Sequence, residues 1–312
     1  MKPTLALILC ALLLAPPAAA WNNTGHKAIA YAAYAKLNKK ARARVDALLR
    51  AHPMFDEFSA GTSGETASRM VFANFATWPD FIRGDKHFVN TPRMDDDCKP
   101  VGTAPPPPGA VFAGFPDMER HQDWHYDDLS FSTDGMPTKP SCVPNALTRI
   151  DAILAELPTA ATSDPQRTFD LPWLEHLVGD VHQPLHAVSR FTMDLPNGDR
   201  GGNSVILKGN SNLHSFWDNL PGLVDTEPVV SKLAGIIASR TRKTTTAAPQ
   251  KWLEDSAFVA RRSVYQFEGK GTKEEPVTLS DGYSISAKAI AIHRMGMAAN
   301  RLAAVLNRTL GR

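Results

Sequence analysis

Two segments of this chain place a histidine and an aspartate four residues apart inside apolar sequence. In LPWLEHLVGD the pair is His176 and Asp180, and in NLHSFWD it is His214 and Asp218. Residues four apart share one face of a helix. Ionisable groups on an otherwise apolar face need partners once they are buried. The chain must therefore bring these helices together around something polar, or leave both faces wet. A single pair of this kind is more often a solvated face. Two pairs, with His182 and His186 close behind the first in HLVGDVHQPLH, favour a metal site, because imidazole nitrogen with carboxylate oxygen on facing helices suits zinc. Pro184 lies between His182 and His186 and disturbs the helix there.

The remaining sequence supplies the helices such a site needs. Residues 24–50 have apolar positions at helical spacing and predict one or two helices, with Thr24 as N-cap. Residues 65–83 look helical, with Pro79 near a start or kink. From 84 to about 123 the period is lost, and Asp95–Asp97 and Pro105–Pro108 mark a long loop or insertion. Helical periodicity returns over 143–157 and 168–188. Residues 189–213, with Asn197-Gly198, Gly201-Gly202 and SVILKG, suit a short strand or hairpin. Residues 214–265 are mostly helical with breaks near Pro228 and Pro249, and 284–310 form a long amphipathic helix. No repeat or linker divides the chain. The expectation is one mostly α domain with a short β-hairpin and long loops. Basic and acidic residues nearly balance, 34 against 32, so any contact with a polyanion must be local.

The amino end, MKPTLALILCALLLAPPAAA, has a basic start, an apolar stretch too short to span a bilayer and a small-residue cleavage site. It reads as a signal peptide over 1–20, leaving a domain at 21–312 that begins at Trp21, with no membrane anchor and a secreted or periplasmic location. Cys10 leaves with the signal. In an oxidising compartment Cys98 and Cys142 are then expected to pair as a loop staple, since they make no CxxC metal signature.

WNNTGH, WPDFIR, WHYDDL, HLVGDVHQPLH, GDRGGN and NLHSFWD occur in the order seen in the S1/P1 nucleases, and GMAANRLAAVLN resembles that family's last helix. The chain thus resembles the S1/P1 nuclease family over nearly all of residues 21–312. The resemblance implies the mostly α fold shared by phospholipase C and P1 nuclease, three zinc ions, and hydrolysis of phosphodiester bonds in single-stranded DNA and RNA, with 3′-nucleotides as further substrates and no stable protein partner. By the same resemblance, Trp21 chelates through its α-amine and carbonyl, together with His26. Asp80, His125, His176 and Asp180 bind one zinc of a close pair. His186, His214 and Asp218 match the ligands of the other. Asp180 also reaches the zinc held by Trp21 and His26.

Asp80 and Arg83 carry the catalytic expectation, Arg83 matching the arginine that contacts the scissile phosphate. Tyr126, Asp128 and Asn219 match positions near a nucleobase pocket; a capping or turn role is the alternative for them. His87 competes with His125, since both precede an aromatic residue after WPD, but WHYDDL fits the family pattern better. His182 is expected to be a supporting or core histidine, and His52, His121 and His293 structural or solvated. A zinc phospholipase C, sharing fold and site, is the rival enzyme. Such enzymes typically end the ligand set with Glu and have a wider gap from Trp to the first His, whereas here the residue is Asp218 and the gap is five. A non-catalytic secreted zinc-binding protein is the second alternative.

Overall fold

Asn22, not Thr24, starts the first helix. Its side chain accepts the Gly25 N–H at 3.2 Å, while Thr24 is buried inside the first turn. Two cap-capable residues compete at this point, and the upstream one wins. In the computed structural model, which describes residues 21–94, 98–101, 111–209, 211–241 and 248–312, eleven α-helices form among the described residues. The expected signal peptide over 1–20 lies outside them, as do residues 95–97 and 105–108 of the long loop.

The predicted 24–50 region is two helices, α1 (Asn23–Tyr34) and α2 (Lys39–Arg50), the second capped by Asn38. Helix α1 is buried on nearly every side, as its Ala-rich apolar sequence requires. It packs against four helices described below, so it forms the centre of the molecule. Helix α2 instead buries one stripe, Ala41, Val45, Leu48 and Leu49. After α3 (Phe55–Ser59), the 65–83 region resolves into α4 (Ala67–Phe75) and α5 (Trp78–Phe81), with Pro79 in the first turn of α5, where its missing N–H costs nothing.

The long 84–123 stretch is largely irregular among its described residues. It holds one small antiparallel pair, β1 (Arg93–Met94) with β2 (Pro100–Val101), and a disulfide joins Cys98 to Cys142. A 3₁₀ turn, Gln122–His125, ends it. From there the chain runs beside residues 186–189: the Asp127, Leu129 and Phe131 N–H groups donate to the carbonyls of His186, Ala187 and Ser189 at 2.9–3.0 Å. This ladder ends in the parallel pair β3 (Phe131–Ser132) and β4 (Arg190–Phe191).

Helix α6 (Ala146–Glu156) opens with a reciprocal cap between Asn145 and Thr148. Helix α7 (Asp164–Asp180) starts earlier than the periodicity implies, because Ser163 caps it with Pro165 in the first turn. It also stops earlier, at Asp180, and a 3₁₀ turn over Pro184–Ala187 replaces the expected continuation to 188. Every residue of α7 from Thr168 to Asp180 is buried. The expected hairpin is β5 (Ile206–Leu207) with β6 (Ser211–Asn212).

Four helices complete the chain: α8 (Leu213–Asp218), α9 (Glu227–Arg240), α10 (Pro249–Val259) and α11 (Asp281–Thr309). Pro228 and Pro249 stand in the first turns of α9 and α10, so the breaks they mark fall between helices. The central α1 packs against α4, α7, α9 and α11, and α7 also lies against α2, α5, α6 and α11. One continuous apolar core results, with Trp21, Trp78, Trp173, Trp217 and Trp252 all fully buried. None of the described helices is long and apolar enough to cross a membrane.

Candidate metal centre

The last turn of α7 carries His176 and Asp180 into the core, both with no exposed surface. Around Asp180 the fold brings α1, α5 and the 3₁₀ turn after the long loop. Asp180 Oδ2 lies 3.1 Å from His125 Nδ1 and 3.3 Å from His176 Nε2, and its other oxygen, Oδ1, lies 3.3 Å from His26 Nε2. Asp80, on α5, turns one oxygen towards the same two rings, at 3.8 Å from His176 and 4.0 Å from His125. A third group sits on α8 and the Pro184–Ala187 turn: His186, His214 and Asp218, buried and with ligand atoms close enough to share one ion.

The resemblance implies that the Asp80 set and the His186 set form the close pair. It also has Asp180 reach the His26 set, and the side chains stand accordingly. The carboxylate with a set on each side is Asp180, so the Asp80–His125–His176 set is coupled to the His26 set. Spacing could not reveal which oxygen faces which helix, because that depends on how α1 packs across α7.

Backbone carbonyls fix the tautomers of three rings. Nδ1 of His176 bonds Ala76 O at 2.8 Å, Nδ1 of His186 bonds His125 O at 2.6 Å and Nδ1 of His214 bonds Gly201 O at 2.6 Å. A carbonyl only accepts, so each Nδ1 carries the hydrogen, and in the rings that stay neutral Nε2 presents a lone pair. Burial lowers the pKa of the His26, His125, His186 and His214 rings, the last to about 4, and the Arg83 charge adds to the effect at all four. Neutral His186 and His214 therefore turn two bare nitrogens on one another at 2.9 Å. Two lone pairs converging in a buried site repel each other unless a proton or a metal ion lies between them, and with Asp218 alongside the three groups could hold one ion.

The other sets give the same reading. Both carboxylate oxygens of Asp80, Asp180 Oδ1 and both ring nitrogens of His26 are buried without a hydrogen-bond partner. Each such group costs about 1–3 kcal/mol if left unsatisfied. Burial also pushes the Asp180 carboxyl up to about 6 and Asp218 well above the carboxylate range, so a cation entering here would displace protons. The nitrogen and carboxylate donors present fit zinc.

Arg83, one turn beyond Asp80, has its Nε 3.4 Å from Asp80 Oδ1 and a side chain only 11% exposed. Its charge acts on rings of all three sets. His87, the competitor of His125, is half exposed and pairs with Asp85 instead. Trp21 is fully buried beside this region, and the next residue, Asn22, donates its N–H to Asp218 O at 3.1 Å. Tyr126 is exposed and donates its hydroxyl to Asp123. Asp128 is half-buried, and burial, then Asp199 and Asp127, push its carboxyl up to about 7. Asn219 is exposed and accepts a hydrogen bond from the Asn22 amide, which also donates to Gly222 O.

A family model described as S1/P1 Nuclease matches residues 21–311. The chain belongs to the S1/P1 nuclease family. Curated relatives from Arabidopsis thaliana carry endonuclease names. Endonuclease 2 is 26% identical over 96% of this chain and 94% of its own length. Endonuclease 1 is 30% identical over 74% and 72%, and Endonuclease 5 is 26% identical over 76% and 77%.

Among S1/P1 residues that motif reading did not single out, Gly179 and Gln183 matter most. A Cβ at Gly179 would fall 2.8 Å from His26 Nδ1, so this S1/P1 site needs a glycine on α7 to seat the His26 ring. Gln183 donates to Asp218. Both depend on contacts distant in sequence. The glycine's place one residue before Asp180 was the only local clue. His182 faces away from the sets: its Nδ1 donates to Val178 O, Arg301 donates to its Nε2 and Arg294 donates to its carbonyl, which together clamp the turn between Asp180 and His186.

Proposed function

We propose that this protein is a secreted, zinc-dependent endonuclease that hydrolyses phosphodiester bonds of single-stranded DNA and RNA. Its products carry 5′-phosphates, and it also removes the 3′-phosphate of nucleotides. The observation that carries this reading is one buried carboxylate, Asp180, standing between two donor sets within reach of the Arg83 charge.

Asp80, His125, His176 and Asp180 would hold one ion. His26 and Asp180, with the amine and carbonyl of Trp21 after removal of residues 1–20, would hold a second. His186, His214 and Asp218 would hold a third. Bound zinc makes water acidic enough to attack at neutral pH and neutralises charge on a phosphate oxygen. The Arg83 guanidinium donates charge-assisted hydrogen bonds to the scissile phosphate and strengthens them as charge develops. Asp80 orients that guanidinium through its own oxygen. The 3′ oxygen leaves, so the new end bears the 5′-phosphate. Exposed Phe81 and Tyr126, each next to a proposed ligand, offer rings on which unpaired bases stack without sequence readout.

The test uses protein beginning at Trp21, and a second form with one extra residue before it. Single-stranded DNA, RNA, duplex DNA and phosphatidylcholine are assayed before and after chelation. We expect single strands to be cut fastest, activity to vanish on chelation and return with zinc, and the extended form to bind less zinc. Cleavage that survives exhaustive chelation would overturn the proposal.

A further inference from the structure

The GDRGGN turn holds a non-glycine residue in a conformation that favours glycine. Arg200 has φ of +56°, between Gly198 at +79° and Gly201 and Gly202 at +61° and +80°. The turn is fastened on every side. Asp199 exchanges hydrogen bonds with the Arg190 backbone at 2.9 Å through its N–H and its Oδ1. The Arg200 N–H donates to Ser189 Oγ at 3.2 Å, and its carbonyl accepts from the Asn203 side chain at 2.8 Å. The next carbonyl, that of Gly201, is the one that fixes the His214 ring. A Cβ at Gly201 would come within 2.3 Å of Leu185 O, so the turn is pressed against the His186-bearing segment.

The backbone that orients a proposed ligand thus also carries an exposed cation at a strained position. Among the described residues, the Arg200 guanidinium makes no hydrogen bond or ion pair. The Tyr126 ring is exposed but its hydroxyl end is held against Asp123; burial comes first for that hydroxyl and for the His214 ring, and the Arg200 charge acts on each. Arg200 therefore stands one residue from the carbonyl that holds the His214 ring, on a turn pressed against the His186-bearing segment, with its own side chain exposed at the rim of that donor set. Arg83 is the other cation that acts on His214, and it lies in the floor with Asp80.

We propose that Arg200 binds the phosphodiester adjacent to the scissile one, so that the site prefers a polynucleotide strand to a mononucleotide. Arg83 and Arg200 then divide the backbone, one cation deep and one at the rim, while Tyr126 offers its ring to the base between. The inference rests on the proposed nuclease reading. A mononucleotide has no second phosphodiester for Arg200 to hold, whereas a strand always does. With near-balanced charge over the whole chain, one well-placed rim cation weighs more than it would on a basic protein.

The experiment compares Arg200→Gly, Arg200→Gln and Arg200→Lys in the zinc-loaded enzyme, with a single-stranded oligonucleotide and with 3′-AMP, over a series of salt concentrations. Arg200→Gly also relieves the backbone, so poor folding does not obscure the result. We expect the oligonucleotide KM to rise about tenfold in the Gly and Gln variants, as for loss of one charge-assisted contact, with kcat within about twofold. The 3′-AMP KM should rise by less than about twofold. The slope of log(1/KM) against log salt should shallow by about 0.7, the share of one single-strand phosphate, and Arg200→Lys should retain it. Equal losses on both substrates, or an unaltered salt slope in Arg200→Gly, overturn the role of Arg200 alone. Wild-type enzyme that cuts neither substrate overturns the nuclease reading beneath it.

Discussion

Gln183 holds Asp218 by one oxygen only. The Gln183 Oε1 accepts the Leu185 N–H at 2.6 Å, which fixes the amide so that Nε2 must donate, and it donates to Asp218 Oδ1 at 2.7 Å. The other oxygen, Oδ2, lies 3.5 Å from His214 Nε2 and is the atom left for an ion. Gln183→Leu should therefore weaken metal at the His186–His214–Asp218 set by about 10–100-fold, the usual cost of losing a partner that orients a ligand. Competition with a chromogenic chelator measures this directly, and unchanged affinity would remove Gln183 from the site.

Asp180 faces two donor sets and Asp218 faces one. Asp180→Asn should lower zinc stoichiometry more than Asp218→Asn does, and should cut turnover on single-stranded DNA by at least about 1000-fold. Elemental analysis after dialysis is the readout. Equal zinc loss in the two variants would mean that Asp180 does not bridge.

Gly179 makes room for His26. Gly179→Ala would drive a methyl group into the imidazole, where overpacking typically costs about 1–3 kcal/mol. The expected signature is a small loss in Tm with a selective loss of one ion. Full zinc content in the variant would show that the ring can move aside without consequence.

His52 gives the fold an acid-sensitive element outside the metal sets. It is buried against Phe75, Trp78 and Phe115, accepts the Met54 N–H, and burial lowers it to about 3. The unfolded chain, with the ring near its ordinary 6.5, binds the proton that the folded protein refuses. Stability must then fall as pH drops from about 6.5 to about 3, by up to about 1.4 kcal/mol per pH unit from this ring. Urea unfolding of wild type and His52→Leu at pH 7, 6, 5 and 4, at fixed zinc, should give a shallower acid slope in the variant. Parallel slopes would count against it.

The Cys98–Cys142 bond closes 44 residues of sequence separation. Loop entropy assigns such a crosslink up to about 4 kcal/mol. Cys142→Ser should lower the denaturation midpoint accordingly, with less effect on zinc content, because the bond lies in the loop region and not among the donors. Loss of all metal in this variant would instead tie the loop to assembly of the centre.

Features governed by local rules were legible in the sequence. The i,i+4 spacing of His176 with Asp180 and His214 with Asp218 survived because both pairs do lie on helices, and Pro228 and Pro249 marked real helix starts. The start of α1 differs from the expected Thr24 because Asn22 and Thr24 are both competent caps, and the Asn22 amide is also drawn to Asn219 and Gly222, far along the chain. His125 could be chosen over His87 only by motif, since what brings it in is its neighbours' ladder with 186–189. The grouping of the donors into sets, the contact of Gln183 with Asp218 and the clearance at Gly179 all arise from packing between segments, which spacing does not encode.

The Asn22 amide has a consequence for producing the protein. Asn22 and Thr24 form an acceptor sequence for N-linked sugar, and the nitrogen that would carry the sugar is the one already donating to Gly222 O and Asn219 Oδ1. An oligosaccharide there would have to prise Asn22 and its neighbours from the end of α8. Material made in a host that decorates this asparagine before folding should carry a displaced Trp21, while a bacterial host leaves the tether intact.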